Sequence, residues 1–260
     1  MKAIIVAAGI GSRLGELGKD TPKSLIDVNG QSILERQISV LKKLGISDIT
    51  VIIGPHAEKF TFKNISFIQD KNYLEHDILS SLMLARSIMY DDIIVSYGDV
   101  IFDEQILQPL IDFKDSIGVG TDLNWEKNYV GRKQEEKQEA TTIQIKNNIC
   151  TKIVDGRELS KSKIKDDSKP SDHKKQKLGE FVGLMILTKQ GSIIFIKRYE
   201  ELINYHVGSF HEASSISQAY FTDMLQELID SGVEILPIPV QGKWCEIDTI
   251  EDLKRAKDMF

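Results

Sequence analysis

The sequence predicts an α/β fold in which a mostly parallel sheet carries helices on both faces. Short apolar runs of strand length alternate with amphipathic helical patterns through the first half of the chain, and consecutive βα units produce that alternation. A glycine-rich turn at 9–15 follows the first apolar run, and Asp99 follows a later one. Because ligands of such sheets bind beyond the carboxyl ends of strands, the turn and Asp99 predict one shared site.

Hydrophobic periodicity places the individual elements. Ser32 and Glu35 have the spacing of a capping box at the start of a helix that Gly45 ends, and Thr249 and Asp252 have the same spacing before a last helix. Strand patterns and helical patterns alternate between these two caps. The predicted strands are 2–8, 49–53, 65–68, 93–96, 141–145, 179–187 and 233–240, and the other predicted helices are 77–89, about 190–204 and 219–230.

Composition excludes several classes of protein. The chain has 260 residues, 33 of them basic and 39 acidic, so its net charge is −6 and nucleic acid is not the default partner. The two cysteines, Cys150 and Cys245, cannot build a disulfide framework, and no Cys/His cluster has zinc spacing. The chain begins directly with a core strand, and no apolar run approaches the roughly 20 residues of a membrane helix. We therefore expect a cytoplasmic protein without a signal peptide or a membrane segment.

The segment from Gly9 to Lys23 is predicted to bind an anion. Glycines allow positive φ and a close approach of the backbone, so that successive N–H groups face phosphate oxygens. Arg13 adds a planar, forked cation, and Lys23 adds a mobile point charge. A dinucleotide fingerprint needs a third glycine where Leu14 stands, and 18–20 lack the Gly-Lys-Ser/Thr of a Walker loop. An ordinary strand-to-helix turn with two solvated basic residues remains the alternative.

A family resemblance rests on this segment. Ala7-Ala8-Gly9-x-Gly11-Ser12-Arg13-Leu14, followed by Thr21-Pro22-Lys23, resembles the signature of the sugar-nucleotidyltransferase superfamily. The resemblance implies one domain over 1–260 with a Rossmann-like mixed, mostly parallel sheet of the nucleotide-diphospho-sugar transferase type. It also implies that the turn wraps the triphosphate of a nucleotide, with Arg13 and Lys23 as catalytic cations. The implied nucleotide-binding residues are Ala7, Ala8, Gly9, Gly11, Ser12, Arg13, Lys23 and Ser81, the last near the pyrimidine edge.

Two aspartates are implied metal ligands. In the resembling superfamily, an Asp at the position of Asp99 and an Asp at the position of Asp248, before the final helix, hold the Mg²⁺ that bridges the nucleotide phosphates. Hard carboxylate oxygens are the ligands that Mg²⁺ takes. From the residues alone, the alternatives are that Asp99 caps a helix or a turn, that Asp248 serves only as a neighbour of a helix cap, and that Ser81 is an ordinary polar position on a helix.

Later segments narrow the resemblance to one branch. The stretches 122–132, 179–183, 210–213 and 219–227 resemble cytidylyltransferases that activate 2-aminoethylphosphonate or 2-hydroxyethylphosphonate, with bacterial phosphocholine cytidylyltransferases as cousins. The implied reaction joins CTP and a small phosphonate to give a CMP-phosphonate and pyrophosphate. The implied acceptor-binding residues are Trp125, Tyr129, Arg132, Glu180 and Asp223. A plain loop with aromatic anchors is the alternative for the first three.

The sequence leaves other functions possible, and it contains one segment that fits none of the predicted elements. An acceptor that is phosphocholine or another phosphomonoester, including sugar or polyol phosphates, would share every phosphate-binding residue. A regulatory nucleotide-binding subunit without catalysis and an NAD-binding module are less favoured. The lysine-rich stretch at about 157–178 is expected to be a flexible, solvated insertion, because its composition cannot bury enough apolar surface to fold. The sequence leaves a homodimer open.

Overall fold

The computed structural model describes residues 1–130, 132, 137–154 and 177–260, and its strands begin and end close to the predicted positions. The expected insertion at about 157–178 lies outside the described residues except for Lys177 and Leu178, which open a long strand instead. The strands are β1 (Lys2–Ala7), β2 (Asp27–Val28), β3 (Gln31–Ser32), β4 (Ile49–Ile53), β5 (Ser66–Gln69), β6 (Ile93–Tyr97), β7 (Val100–Phe102), β8 (Ile117–Asp122), β9 (Thr142–Lys146), β10 (Ile149–Val154), β11 (Lys177–Leu187), β12 (Leu236–Pro239) and β13 (Trp244–Glu246).

The helices connect and cover these strands. Ser32 and Glu35 form the predicted capping box, and so do Thr249 and Asp252. The helices are α1 (Glu16–Lys19), α2 (Ile33–Lys43), α3 (Ile78–Met83), α4 (Glu104–Ile111), α5 (Lys189–Tyr205), α6 (Phe221–Asp230) and α7 (Ile250–Met259). Within the described ranges, none of these helices combines the length and apolar character that a membrane crossing requires.

Two predicted elements were too long. The predicted helix 77–89 stops being α-helical after Met83, because the backbone tightens into i→i+3 bonds and continues as a 3₁₀ turn at Arg86–Ile88. The predicted strand 233–240 shortens to β12, because the Val233 N–H closes the end of α6 on the carbonyl of Leu228. Sequence analysis assigned no helix to α4, whose interior contains Pro109, a residue that usually breaks helices.

The described strands form one nine-stranded sheet and two small ribbons. The order is β10-β9-β11-β6-β1-β4-β5, with β8 paired to β11 and β12 paired to β8. The run β6-β1-β4-β5 is parallel, whereas β11 is antiparallel to β6, β8 and β9. The carboxyl ends of β1, β4 and β6 therefore lie side by side, as the α/β prediction requires.

Alternating residues of β1 supply both faces of the sheet. Ile4 and Val6 pack on the face covered by α3, α5 and α6, whereas Ala3 and Ile5 pack on the face covered by α2 and α4. Side chains of a strand point alternately to opposite faces, and burial of both faces explains why the strand is apolar throughout. The sheet is therefore a rigid platform for the loops at its carboxyl edge.

A second, smaller ribbon brings the end of the chain to this edge. β13 pairs antiparallel with β7, and the Ile247 N–H donates to the carbonyl of Asp99 at 3.0 Å. Ile247 and Leu253 then bury their side chains in a small cluster with Leu14, a residue of the glycine turn. The segment before α7 is thus fixed against both the turn and the end of β6.

Candidate active site

Three carboxylates converge at the end of β6. Asp99, Glu246 and Asp248 each place a carboxylate oxygen within 4.8 Å of the others. Asp99 follows β6, whereas Glu246 ends β13 and Asp248 lies two residues further on. The structure therefore brings the two predicted metal ligands together beside the glycine turn.

Lys23 connects these carboxylates to the turn. Its ammonium Nζ lies 2.7 Å from Asp99 Oδ2 and also contacts Asp248 Oδ1, and Arg13 Nη2 donates to the same Asp248 oxygen at 2.8 Å. Burial alone would lower the pKa of Lys23, but the charges of Asp99 and Asp248 more than offset this, so that its pKa is raised and the ammonium stays charged. Both predicted catalytic cations thus lie at the cluster.

The glycine turn packs directly against Lys23. Gly11 has φ of +70°, and a Cβ at this position would lie 3.1 Å from the Cβ of Lys23. Gly9 has open space around it, with no atom within 4 Å of an added Cβ. Ser12 begins a 3₁₀ turn that ends at Leu14. Leu14 is fully buried, so the position where a dinucleotide fingerprint needs glycine is here a core position.

The carboxyl ends of β1 and β6 approach too closely for side chains. Ala7 and Ala8 are buried at the end of β1, and a Cβ added to Gly98 would lie 2.7 Å from Ala7 Cα and 2.8 Å from the carbonyl oxygen of Val6. Only a residue without a side chain therefore fits at position 98, where the chain leaves β6 and reaches Asp99.

Replacing Gly98 by alanine is expected to lower the free energy of unfolding by about 1–3 kcal/mol, because backbone atoms must move to admit the methyl group. Urea denaturation measures the change. Gly9→Ala is the matched control, since an added methyl group meets no atom within 4 Å, and it should stay within about 0.5 kcal/mol of the parent. Equal stability of the two variants would contradict this account.

Sequence analysis missed Glu246. A usable signal was present, because Glu246 and Asp248 flank the fully buried Ile247 in an extended segment, and alternate residues of such a segment share one side. Glu246 is exposed as a residue. Desolvation of its carboxylate by the surrounding protein atoms, and next the negative charges of Asp99 and Asp248, raise the pKa of Glu246.

The carboxylate cluster fits a divalent cation. Asp99 Oδ1 is buried and has no hydrogen-bond partner among the described residues. Three carboxylates and one unsatisfied oxygen form a donor set suited to Mg²⁺, which prefers oxygen ligands.

A second cluster contains four of the five predicted acceptor-binding residues. The rings of Trp125 and Tyr129 meet edge to face at 5.8 Å, and the Tyr129 hydroxyl donates to Glu180 Oε1 at 2.5 Å. The guanidinium of Arg132 lies 4.5 Å from the centre of the Tyr129 ring. We call Trp125, Tyr129, Arg132 and Glu180 the aromatic–acidic cluster. It offers ring faces, one cation and one buried carboxylate.

Asp252 links the two clusters. Its Oδ1 accepts from Arg132 Nη2 at 3.0 Å, and its Oδ2 accepts from the backbone N–H groups of Asp248 and Thr249 at 3.2 and 2.8 Å. One buried carboxylate thus caps α7, fixes the backbone at Asp248 and binds the cation of the aromatic–acidic cluster.

Substituting Asp252 by alanine is expected to cost about 1–3 kcal/mol of folding stability, because a helix cap is lost and buried donors lose their acceptor. Chemical denaturation provides the measurement. Asp258 is exposed in the last turn of the same helix, where a negative charge is unfavourable. Asp258→Ala should therefore leave stability unchanged or slightly higher. An equal loss of stability at both positions would show that the contacts of Asp252 are not the cause.

Two predicted residues have structural partners of their own. Ser81 is buried and donates its hydroxyl to Asp70 Oδ2 at 2.6 Å. Asp223 accepts from the backbone N–H groups of Tyr220 and Glu212 at 2.7 and 3.2 Å, at the start of α6. Their contacts with a nucleotide or an acceptor remain predictions, as do those of Ala7, Ala8, Gly9, Gly11 and Ser12.

Two cavities lie among other described residues. One of about 350 Å³ lies beside Trp125 and Leu178, and one of about 590 Å³ lies between β10 and α6, next to Asp223. Between Asp99 and Asp248, the ammonium of Lys23 contacts both carboxylates.

Comparisons with known proteins agree with this geometry. Residues 3–119 match the MobA-like NTP transferase domain family. The chain is 27% identical over 267 residues to CTP:phosphoglutamine cytidylyltransferase of Campylobacter jejuni, covering 98% of each chain. It is 36% identical over 114 residues to 2-aminoethylphosphonate cytidylyltransferase of Lancefieldella rimae, covering 41% of this chain and 46% of that relative.

A solved structure supports the same fold. CTP:phosphocholine cytidylyltransferase from Streptococcus pneumoniae superposes with a TM-score of 0.70 at 18% identity, covering 99% of this chain and 97% of that one. The predicted fold type is thereby confirmed. The predicted superfamily is confirmed by the sequence matches: residues 3–119 form a MobA-like NTP transferase domain, and the homologues of the chain include phosphonate cytidylyltransferases and sugar nucleotidyltransferases.

Proposed function

We propose that this protein transfers CMP from CTP to a small phosphonate, with 2-aminoethylphosphonate as the first choice, in a Mg²⁺-dependent reaction that releases pyrophosphate. The observation that carries the proposal is the meeting of Lys23 and Arg13 with Asp99, Glu246 and Asp248 beside the glycine turn. Cations next to a phosphate-binding turn, opposed by a set of metal-binding carboxylates, suit a reaction on a nucleoside triphosphate.

Each group has a role in this reaction. The backbone of the glycine turn would hold the triphosphate, and Arg13 and Lys23 would neutralise the charge on the α-phosphate and the leaving pyrophosphate. Asp99, Glu246 and Asp248 would hold Mg²⁺, which supplies Lewis-acid stabilisation of phosphate oxygens when bound. A phosphonate oxygen attacks the α-phosphorus of CTP in line and forms a new P–O bond. The bond between the α-phosphorus and the oxygen that bridges it to the β-phosphate breaks, and pyrophosphate leaves with that oxygen. The attacking oxygen is already anionic near neutral pH, so the site needs no general base.

The aromatic–acidic cluster supports the choice of acceptor. Its ring faces and the buried Glu180 suit a cationic head group, and Arg132 suits a phosphonate, because guanidinium binds such oxygens with paired hydrogen bonds. The Lancefieldella rimae relative is named as a 2-aminoethylphosphonate cytidylyltransferase, which supports 2-aminoethylphosphonate as the acceptor and a cytidylyl group as the group transferred. These residues would position the acceptor so that its oxygen faces the α-phosphate.

A phosphomonoester or a similar phosphate-bearing acceptor is the second candidate. It is favoured by the match along nearly the whole chain to CTP:phosphoglutamine cytidylyltransferase, and by the fold shared with CTP:phosphocholine cytidylyltransferase. Such an acceptor would use the same phosphate-binding groups and differ only at the head group.

Pyrophosphate release separates these candidates. The four nucleoside triphosphates should be tested with 2-aminoethylphosphonate, 2-hydroxyethylphosphonate, phosphocholine, phosphoglutamine and a sugar phosphate, with and without Mg²⁺. We expect activity with CTP and Mg²⁺, with the highest kcat/KM for 2-aminoethylphosphonate. A higher kcat/KM for a phosphomonoester would favour the second candidate, and equal use of all four nucleotides would contradict the assignment to CTP.

A further inference from the structure

Glu180 has a carboxylate oxygen that lacks a partner. The residue is 4% exposed, its Oε1 accepts from the Tyr129 hydroxyl, and its buried Oε2 has no hydrogen-bond partner among the described residues. Buried carboxylates are normally satisfied by cations or by several donors. An unsatisfied oxygen in the aromatic–acidic cluster therefore points to a donor on a bound molecule.

The charges that face Glu180 come from several elements. Asp122 of β8 lies opposite Glu180 in the sheet register, and Glu246 of β13 lies near enough to interact with it. Arg132 is close as well, although its Nη2 donates to Asp252. Tyr129 donates a neutral hydrogen bond. Burial first, and then Asp122, raise the pKa of Glu180 to about 7, although Tyr129 and Arg132 act to lower it. Near neutral pH this buried group therefore exists both as an acid and as a carboxylate.

We propose that the protonation state of Glu180 selects the head group of the acceptor, so that the carboxylate prefers an ammonium to a hydroxyl and the carboxylic acid loses that preference. This inference rests on the proposed function and specifies which acceptor the same site prefers at a given pH. An ammonium gains a buried ion pair only with the ionised form, so that its binding to the protonated enzyme must release that proton to solvent. A hydroxyl can accept from the acid or donate to the carboxylate, so its binding depends little on the state of Glu180.

A matched pair of acceptors tests the proposal. 2-Aminoethylphosphonate and 2-hydroxyethylphosphonate differ only at the head group, and an alkyl ammonium stays charged far above neutral pH. We expect the ratio of kcat/KM, amine over hydroxyl, to rise about tenfold between pH 6 and pH 8, as follows for one group with a pKa of about 7. The phosphonate itself titrates in both acceptors, so the ratio removes most of its effect.

Two variants isolate Glu180 as the cause. Glu180→Gln cannot ionise, so it should give a ratio that is flat with pH and remains at the low end. Tyr129→Phe removes a hydrogen bond that favours the ionised form, so the midpoint of the rise should move to higher pH. The second variant keeps the proposal testable if the first does not fold.

The outcomes are distinguishable. A constant ratio in the parent enzyme, or a rise that survives Glu180→Gln, overturns the inference while CMP transfer still supports the proposed function. A midpoint that moves to lower pH in Tyr129→Phe also contradicts the inference. If neither acceptor gives pyrophosphate, the proposed function fails and the inference fails with it.

Discussion

Replacing Lys23 by methionine is expected to lower kcat for pyrophosphate release by about 10²–10³-fold, the cost of losing one charge-stabilising donor at a reacting centre. Methionine keeps most of the length of the side chain but removes the ammonium that lies 2.7 Å from Asp99 Oδ2 and also contacts Asp248. Without this cation, the carboxylates repel one another, and Arg13 is left as the one of the two proposed cations that would face the triphosphate. Initial rates at saturating CTP and acceptor measure the effect, and circular dichroism verifies folding.

Lys19→Met is the matched control for this substitution. Lys19 ends α1 in the same segment of chain, and its side chain is exposed. We expect near-parental turnover, since surface charges contribute little. Arg13→Met should behave like Lys23→Met, because Arg13 Nη2 lies 2.8 Å from Asp248 Oδ1. Parental turnover in a folded Lys23→Met enzyme would refute the role given to the lysine.

Neutralising any of the three carboxylates is expected to reduce Mg²⁺-dependent turnover by at least about 10²-fold. The variants are Asp99→Asn, Glu246→Gln and Asp248→Asn, each of which keeps the shape of the side chain and removes one anionic oxygen donor. The proposed function has Mg²⁺ bound to the folded state, so the ion should also raise the Tm of the parent enzyme. This rise should shrink or vanish in all three variants, and a chelator should abolish parental activity.

Glu251→Gln provides the comparison for the carboxylate variants. Glu251 is exposed in the first turn of α7, close in sequence to Glu246 and Asp248. Its neutralisation should leave the Mg²⁺ dependence of both turnover and Tm unchanged. A Glu246→Gln enzyme with parental Mg²⁺ dependence would show that the cation, if required, is held by the aspartates without it.

The sequence predicted the platform well because its physical cause is local. Apolar runs such as β1 bury both faces, and the capping boxes at Ser32 and Thr249 start helices through contacts three residues apart. Asp99 and Asp248 were predicted to be metal ligands through a family resemblance, and the β7–β13 ribbon explains why their side chains lie close together. Nothing local to either aspartate indicates that ribbon.

Other features depend on contacts between distant segments. The pairing of Arg132 with Asp252 joins residues 120 positions apart, and no periodicity encodes it. The raised pKa of Glu180 follows from burial beside Asp122, which a sequence does not report. Ser81 and Asp223 also make hydrogen bonds within the protein that no sequence motif indicated, and their contacts with a ligand stay predictions.

The small hydrophobic cluster around Leu14 has a consequence for local unfolding. Leu14 shares this cluster with Ile247 and with Leu253 of α7, apart from the two large cores on the sheet. If this corner opens as a unit, the glycine turn and the segment that carries Glu246 and Asp248 lose their shared packing together. Such an opening would disconnect both halves of the charge arrangement in one step while the nine-stranded sheet stays folded.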